Sequence, residues 1–501
     1  MGSIVYLTNK KNGKVYAYIN EKVPDRKTGE KVYRRRCIGH LDPESGLIVE
    51  NRPKSPREGP SALSVGIDMF LSRIAEDCGL IQALRIAYPA DWKLILTCAM
   101  YILSEDAPLS AIGAWSESNY TPFGRKVEPS DMEALMSAMD TESQEAFMRI
   151  WTKRAGDEEP VVLFTHYTEF SDQDTTGSIV STPGMQNLPL EIAVCFGRRS
   201  GMPLSFVRNP VSSIGTAKMR STVDRMYWLA GRPIIVIDRP YANGITADDL
   251  MERGSYLMML PNDSGIAKRA IESNKDNIVD ALNYYSRPDG GHGFVKTYRA
   301  DPSDRYSTFL YYSEEDAERD MGMFFTTVEM CRTELEQGMM NAARMRFYLK
   351  FFKVQGGIES ARVEMNSDRV LEYASSAGYL AAVSDVMDSH YEVMMWRERL
   401  SRCSSVFSSM RTAEDSAVLK LFTERNAEAR VFLQFISFIL HSAVERGLVS
   451  GSLMREFSVR SAVREMSGLM RISGFGYKQP RLTKANYRQE ILLKNIGIES
   501  V

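Results

Sequence analysis

What this chain lacks narrows its class before any motif is read. It has six cysteines in 501 residues, at Cys37, Cys78, Cys98, Cys195, Cys331 and Cys403. No two form a CxxC pair, which argues against both a zinc ribbon and a disulfide framework. The five histidines are scattered as well. Charge of one sign is missing: 62 Lys and Arg face 64 Asp and Glu, for a formal net charge of −2. A preference for nucleic acid would therefore have to come from local clustering. Long apolar runs are missing too. The longest, Leu94–Leu103 and Val431–Leu440, are too short to cross a bilayer. The first residues do not have the shape of a signal peptide. These absences predict a reducing, cytoplasmic setting and no membrane partner. No internal repeat is visible at solenoid periods.

What is present is ordinary in bulk and informative in places. An apolar content of 44% and a charged content of 25% suit a globular chain. The length predicts about two to four domains. The 28 methionines read as adaptable core filler.

Residues 1–50 alternate in short β-type runs, Ile4–Leu7, Val15–Ile19, Lys31–Tyr33 and Cys37–Ile38. Turn signals at Lys11–Lys14 and Pro24–Gly29 separate them, which predicts a small β-meander. It carries ten Lys and Arg between Lys10 and Arg36, against the three acids Glu21, Asp25 and Glu30. Tyrosines interleave these charges. Lys22, Lys27, Lys31, Arg34, Arg35 and Arg36 are thus candidate phosphate-contacting residues. The competing reading is a lysine-protected sheet edge.

Residues 51–61 read as a linker by composition. From Ala62 the apolar period becomes helical, and 62–156 reads as a helical module. A sheet begins at Val161–Tyr167, followed by a hairpin over Leu190–Phe196 and Pro203–Val207. The run Pro233-Ile234-Ile235-Val236-Ile237-Asp238 is nearly all apolar and β-branched, and it stops on a carboxylate. It reads as a strand buried on both faces, with helical patterns on either side. Asp238 then stands at the carboxyl end of a central strand, where open α/β sheets place their chemistry. The alternative is that it caps the following turn. With a strand at Tyr256–Leu260 the element order becomes β-β-β-α-β-α-β. Residues 265–375 read as an insertion, with a long helix over Glu314–Gln337. The pattern resumes at Gly378–Ser384 and continues into long helices near 387–411 and 427–447, so the core spans 161–264 and 376–450. Residues 451–501 form a mixed tail.

That order is ribonuclease-H-like. The chain resembles insertion-sequence transposases of the DDE type, in the group with a large insertion between the second Asp and the Glu. Four stretches carry the resemblance: Tyr33–Gly46 with its Ile38-Gly39-His40-Leu41-Asp42-Pro43 ending, Leu188–Leu204, Ile234–Arg239, and Phe407–Leu440. The resemblance implies a mixed sheet with an insertion, preceded by a helical module and a basic β-meander. It further implies double-stranded DNA as partner, allows a homodimer, and brings two Mg2+ ions if the chain is active. Such chemistry needs three carboxylates on two divalent cations, for in-line attack on a phosphodiester.

Carried over position by position, the second Asp falls on Asp238. The first falls on Thr165, with Glu169 nearby but out of position, and the Glu falls on Ser404. A register starting at Tyr391 would instead put Glu398 at the acid position. Arg411 stands where the family has a lysine, and Pro240 replaces a glycine. Neutral hydroxyls are poor ligands for a divalent pair. The expectation is a transposase-like DNA-binding protein whose strand-transfer chemistry is lost or impaired. An active enzyme using Asp238 with Glu398 or Glu169 is the first alternative. A non-enzymatic structural or interaction protein on the same frame is the second.

Overall fold

The computed structural model describes residues 3–9, 13–24, 31–41, 48–50, 61–105, 107–156, 158–166, 190–210, 221–226, 231–239, 250, 254–287, 291–301, 303–341, 344–355, 362–408, 424–474 and 479–498. They divide into two compact units. One comprises Met1–Leu63 with Met470–Thr483, the other Ser64–Leu469 with Lys484–Val501.

The first unit opens with a four-stranded antiparallel meander: Ser3–Thr8 (β1), Val15–Pro24 (β2), Lys31–Leu41 (β3) and Ile48–Glu50 (β4), in that order. A register shift between Ala17 and Tyr18 marks a bulge in β2. Next comes Ser61–Ser64 (β5). The sequence pattern puts Ser61 in the linker and starts a helix at Ala62. The residues of β5 pair instead with a strand from the distant tail, so a non-local ladder overrides a local helical pattern.

The second unit begins with a helical layer: Gly66–Asp77 (α1), Leu80–Ala87 (α2), Trp92–Ser104 (α3), Ile112–Ser118 (α4), Pro129–Ala138 (α5) and Thr141–Ala155 (α6). The pattern over 130–155 is two helices. Met139 ends the first and Asp140 caps the second, its carboxylate accepting from Ser143 N–H at 2.8 Å.

The sheet is mixed and has nine strands. Its first five are Pro160–His166 (β6), Leu190–Gly197 (β7), Pro203–Pro210 (β8), Ile234–Ile237 (β9) and Ser255–Leu260 (β10). After Gly265–Asn274 (α7) come Tyr284–Ser286 (β11), His292–Tyr298 (β12) and Ser307–Tyr312 (β13). The segment read as an insertion thus contributes three strands to the same sheet. It then forms a satellite from Glu314–Glu336 (α8), Met345–Phe351 (α9), Phe352–Gln355 (β14), Arg362–Met365 (β15) and Ser367–Ala374 (α10), with its own small core around Phe324, Phe351 and Leu335. The ninth strand is Tyr379–Ser384 (β16). The spatial order is β11-β12-β13-β16-β10-β9-β6-β7-β8. The β6–β9 and β9–β10 pairs are parallel, and the remaining six are antiparallel.

His390–Ser408 (α11) and Glu424–Ser450 (α12) follow, then Val459–Met466 (α13). Met470–Ser473 (β17) and Arg481–Leu482 (β18) return to the first unit as the sheet β18-β17-β5, and Tyr487–Asn495 (α14) closes the described chain.

Strand alternation separates two cores. Val161, Leu163, Val194, Ile234, Val236 and Leu257 face the helical layer, while Val162, Phe164, Ile235, Ile237 and Met258 face the opposite side. Helix α12 is the hub of the larger core: every residue from Ala429 to Leu440 is buried. It is also the one described single helix long and apolar enough to span a bilayer. Of its most apolar window, 83% lies inside the protein, as in a core helix.

Candidate functional site at the carboxyl ends of the central strands

Strand β9 is buried throughout and lies between two parallel neighbours. Its last pairing with β6 joins Phe164 to Ile237. Thr165 and Asp238 are therefore the next residues of two adjacent parallel strands, at their carboxyl ends. The chain folds this way because a β-branched apolar run is stable only between covered neighbours, so the first polar residue marks the sheet's rim.

Asp238 is half-buried there, and its Oδ1 accepts from the Arg239 backbone N–H at 2.8 Å. This is a local turn contact of the kind the capping alternative requires. Arg239 is half-buried and donates from Nη2 to the Tyr379 carbonyl at the start of β16, 3.2 Å away. Burial pushes its guanidinium below the usual arginine range, and the nearby positive charge of Arg397 pushes it the same way; Asp238, Asp320 and Tyr373 act against both. Arg397 comes from α11. Asp320, from α8, accepts from Gly378 N–H at 3.2 Å.

The other expected residues fall in different places. Ser404 lies on α11, two turns after Arg397; for Thr165 and Ser404 the description stops at the backbone. Glu398 is exposed and paired with Arg402 one turn on, Oε1 to Nη2 3.0 Å, while Arg402 also binds Glu445. Glu169, Arg411 and Lys27 lie outside the described residues. In the first unit, β2 and β3 set Glu21 opposite Arg34, Asn20 opposite Arg35, Ile19 opposite Arg36, Lys22 opposite Tyr33 and Pro24 opposite Lys31. Of these basic residues Arg35 has a described side chain, and it is exposed.

Among the described residues no group of three His, Cys, Asp or Glu side chains converges to hold a metal. The Arg239 guanidinium has Arg397, Asp238 and Asp320 in its electrostatic neighbourhood, and a guanidinium cannot ligate a cation. Reading the sequence missed Arg397. It is one charge in the run Arg397-Glu398-Arg399, and nothing local marks that Arg397 neighbours Arg239 while Arg399 reaches the Gly201 carbonyl. Neither protein-family models nor curated proteins give a match to this chain.

Proposed function

We propose that this chain is a transposase-like, DNA-binding protein built on a ribonuclease-H-like frame, with its strand-transfer chemistry lost or impaired. The support begins with topology. Strands β6, β7 and β8 form an antiparallel meander, and β9 and β10 add in parallel on the other side of β6. This is the layout that a β-β-β-α-β-α-β chain of that type requires. The observation that carries the reading is the position of Asp238, one residue past the parallel partner of β6 and level with Thr165. An acid stands at the second position and a hydroxyl residue at the first. Among the described residues no second carboxylate is placed with Asp238 and Thr165 to complete a paired-metal set. The lysine- and arginine-rich β2–β3 pair supplies a phosphate-contacting ribbon.

Two measurements on the full chain test this. Fluorescence anisotropy with a labelled duplex should give binding that weakens steeply with salt. Replacing Arg34, Arg35 and Arg36 together by Ala should reduce the log–log slope by roughly 3, about 0.9 for each lost phosphate contact. A duplex-nicking assay with magnesium or manganese should show no activity that depends on Asp238. Absent binding at low salt would remove the DNA reading. Nicking abolished by Asp238→Ala would remove the claim of lost chemistry.

A further inference from the structure

The satellite built from α8, α9, β14, β15 and α10 buries little and exposes much. Its own core has seven buried side chains. Seven methionines are strongly exposed among the described residues, and six of them lie between Met323 and Met365. Apolar side chains scattered singly over a surface need no explanation, but their concentration in one small module does.

Helix α8 sets part of this group in a line. Its inner face is fixed by Phe324, Val328, Cys331 and Leu335, which pack in the satellite core. The outward face carries Met323, Thr326, Met330 and Thr333, all exposed, Met323 by 56% and Met330 by 37%. Their three-four-three spacing is that of a seam between two helices. The Thr326 and Thr333 hydroxyls donate to carbonyls one turn back, those of Gly322 and Glu329, each at 2.9 Å. The threonines thus spend their polar groups on their own helix. On one flank of the line Glu334 binds Arg344, just before α9, and the Tyr348 hydroxyl within it, so α9 runs alongside. Met345 and Leu349 of α9 are exposed there. The other flank carries Glu329 and Glu336, both exposed.

Charge decides what this seam accepts. Helix α8 has eight acids against two arginines. Arg319 pairs with Asp316, and Arg332 reaches Glu336 at 3.3 Å and Glu329 at 4.0 Å. The Arg332 contacts are exposed and worth little, which leaves both glutamates open to a further cation. On α9, Lys350 is taken by Asp263 at 3.2 Å, and Arg346 is its one other basic residue. A second copy of this chain is a poor occupant. Like flanks meet in an antiparallel helix pair and opposite flanks in a parallel one, and either arrangement here sets Glu329 and Glu336 against further glutamates.

We propose that the outward face of α8, with Met345 and Leu349 beside it, docks a basic amphipathic helix of another protein. The apolar stripe of that helix lies along Met323 and Met330, and its lysines or arginines meet Glu329 and Glu336. Methionine suits such a face, because its flexible thioether adapts to side chains of different shape. An acidic face repels phosphates, so this surface goes beyond the DNA-binding reading and stands without it.

The probe is a fluorescein-labelled synthetic peptide with leucines at three-four spacing and lysines elsewhere. Its control carries glutamates in place of the lysines. Fluorescence anisotropy with the full chain should give saturable micromolar binding to the lysine peptide, and binding to the glutamate peptide weaker by about tenfold or more. Met323→Gln combined with Met330→Gln should weaken the lysine peptide by about tenfold or more. That variant should melt at the wild-type temperature, since both side chains are exposed and glutamine forms helix as readily as methionine. Glu329→Lys combined with Glu336→Lys should reverse the preference between the peptides. No saturable binding up to the order of 100 µM would overturn the proposal. So would binding that the methionine substitutions leave unchanged, or equal affinity for the two peptides. A dimer in sedimentation velocity that the same methionine substitutions dissolve would give the face to a second copy, and would overturn it as well.

Discussion

Arg198 and Glu392 tie the β7–β8 hairpin to α11 through two parallel bonds, Nε to Oε1 at 2.6 Å and Nη2 to Oε2 at 2.9 Å. Both side chains are about three-quarters covered, and Arg198 also reaches Glu159 at 2.8 Å. Arg198 holds the Glu392 carboxyl below the usual glutamate range; partial burial opposes this. Folding therefore favours the ionised form. The stabilisation is complete above the unfolded glutamate value, about 4.3, and is lost as pH falls through the lower folded value. Glu392→Gln should cost about 1–3 kcal/mol at pH 7, and its urea midpoint should change less than that of wild type below pH 4.5. An unchanged midpoint at neutral pH would mean the pair is ornamental.

A second prediction concerns how many cooperative pieces the second unit contains. Phe432 of α12 meets Phe147 of α6 edge to face at 5.4 Å, and Phe435 meets Phe206 of β8 at 5.0 Å. One helix thus carries rings into both the helical layer and the sheet, so these should not melt apart. Phe147→Ala and Phe206→Ala should each destabilise by about 3–5 kcal/mol and shift the same thermal transition. Calorimetry that splits the transition in Phe147→Ala alone would instead make 62–156 a separate domain.

These contacts explain what the sequence could reveal and what it could not. Strand β9 was legible because a run buried on both faces is written entirely in β-branched residues. Helix α8 was legible from Ser313 and the acids Glu314, Glu315 and Asp316; Ser313 Oγ accepts from Asp316 N–H, so cap and first turn agree. Strands β5, β17 and β18 were not legible. They are two to four residues long, and their pairing joins ends of the chain some four hundred residues apart. At the candidate site, Asp238 was readable because its strand was. The rotation of α11 was not, since it is fixed by Trp396, Leu400, Cys403 and Phe407 packing into the core. That rotation half-buries Arg397 and leaves Glu398 in solvent.

The last prediction follows from a histidine in the hub helix. His441 packs beside Phe438 at 6.2 Å, and although the residue as a whole is half-buried, its Nδ1 is buried without a hydrogen-bond partner among the described residues. Burial lowers its pKa to about 4; Glu445 opposes this, while Arg402 and Arg460 reinforce it. The folded state therefore prefers the neutral ring. Unfolded, the ring titrates near 6.5, so between about pH 6.5 and 4 the unfolded chain binds the extra proton. Stability contributed by this residue is complete above 6.5 and declines toward pH 4, a window above that of Glu392. His441→Phe keeps the ring and removes the titration. Its urea midpoint should stay nearly flat between pH 7 and 5, while that of wild type falls over the same range by an amount on the order of 1–3 kcal/mol. Equal slopes in the two proteins would show that the imidazole reaches water in the folded state and that the acid sensitivity of the hub lies elsewhere.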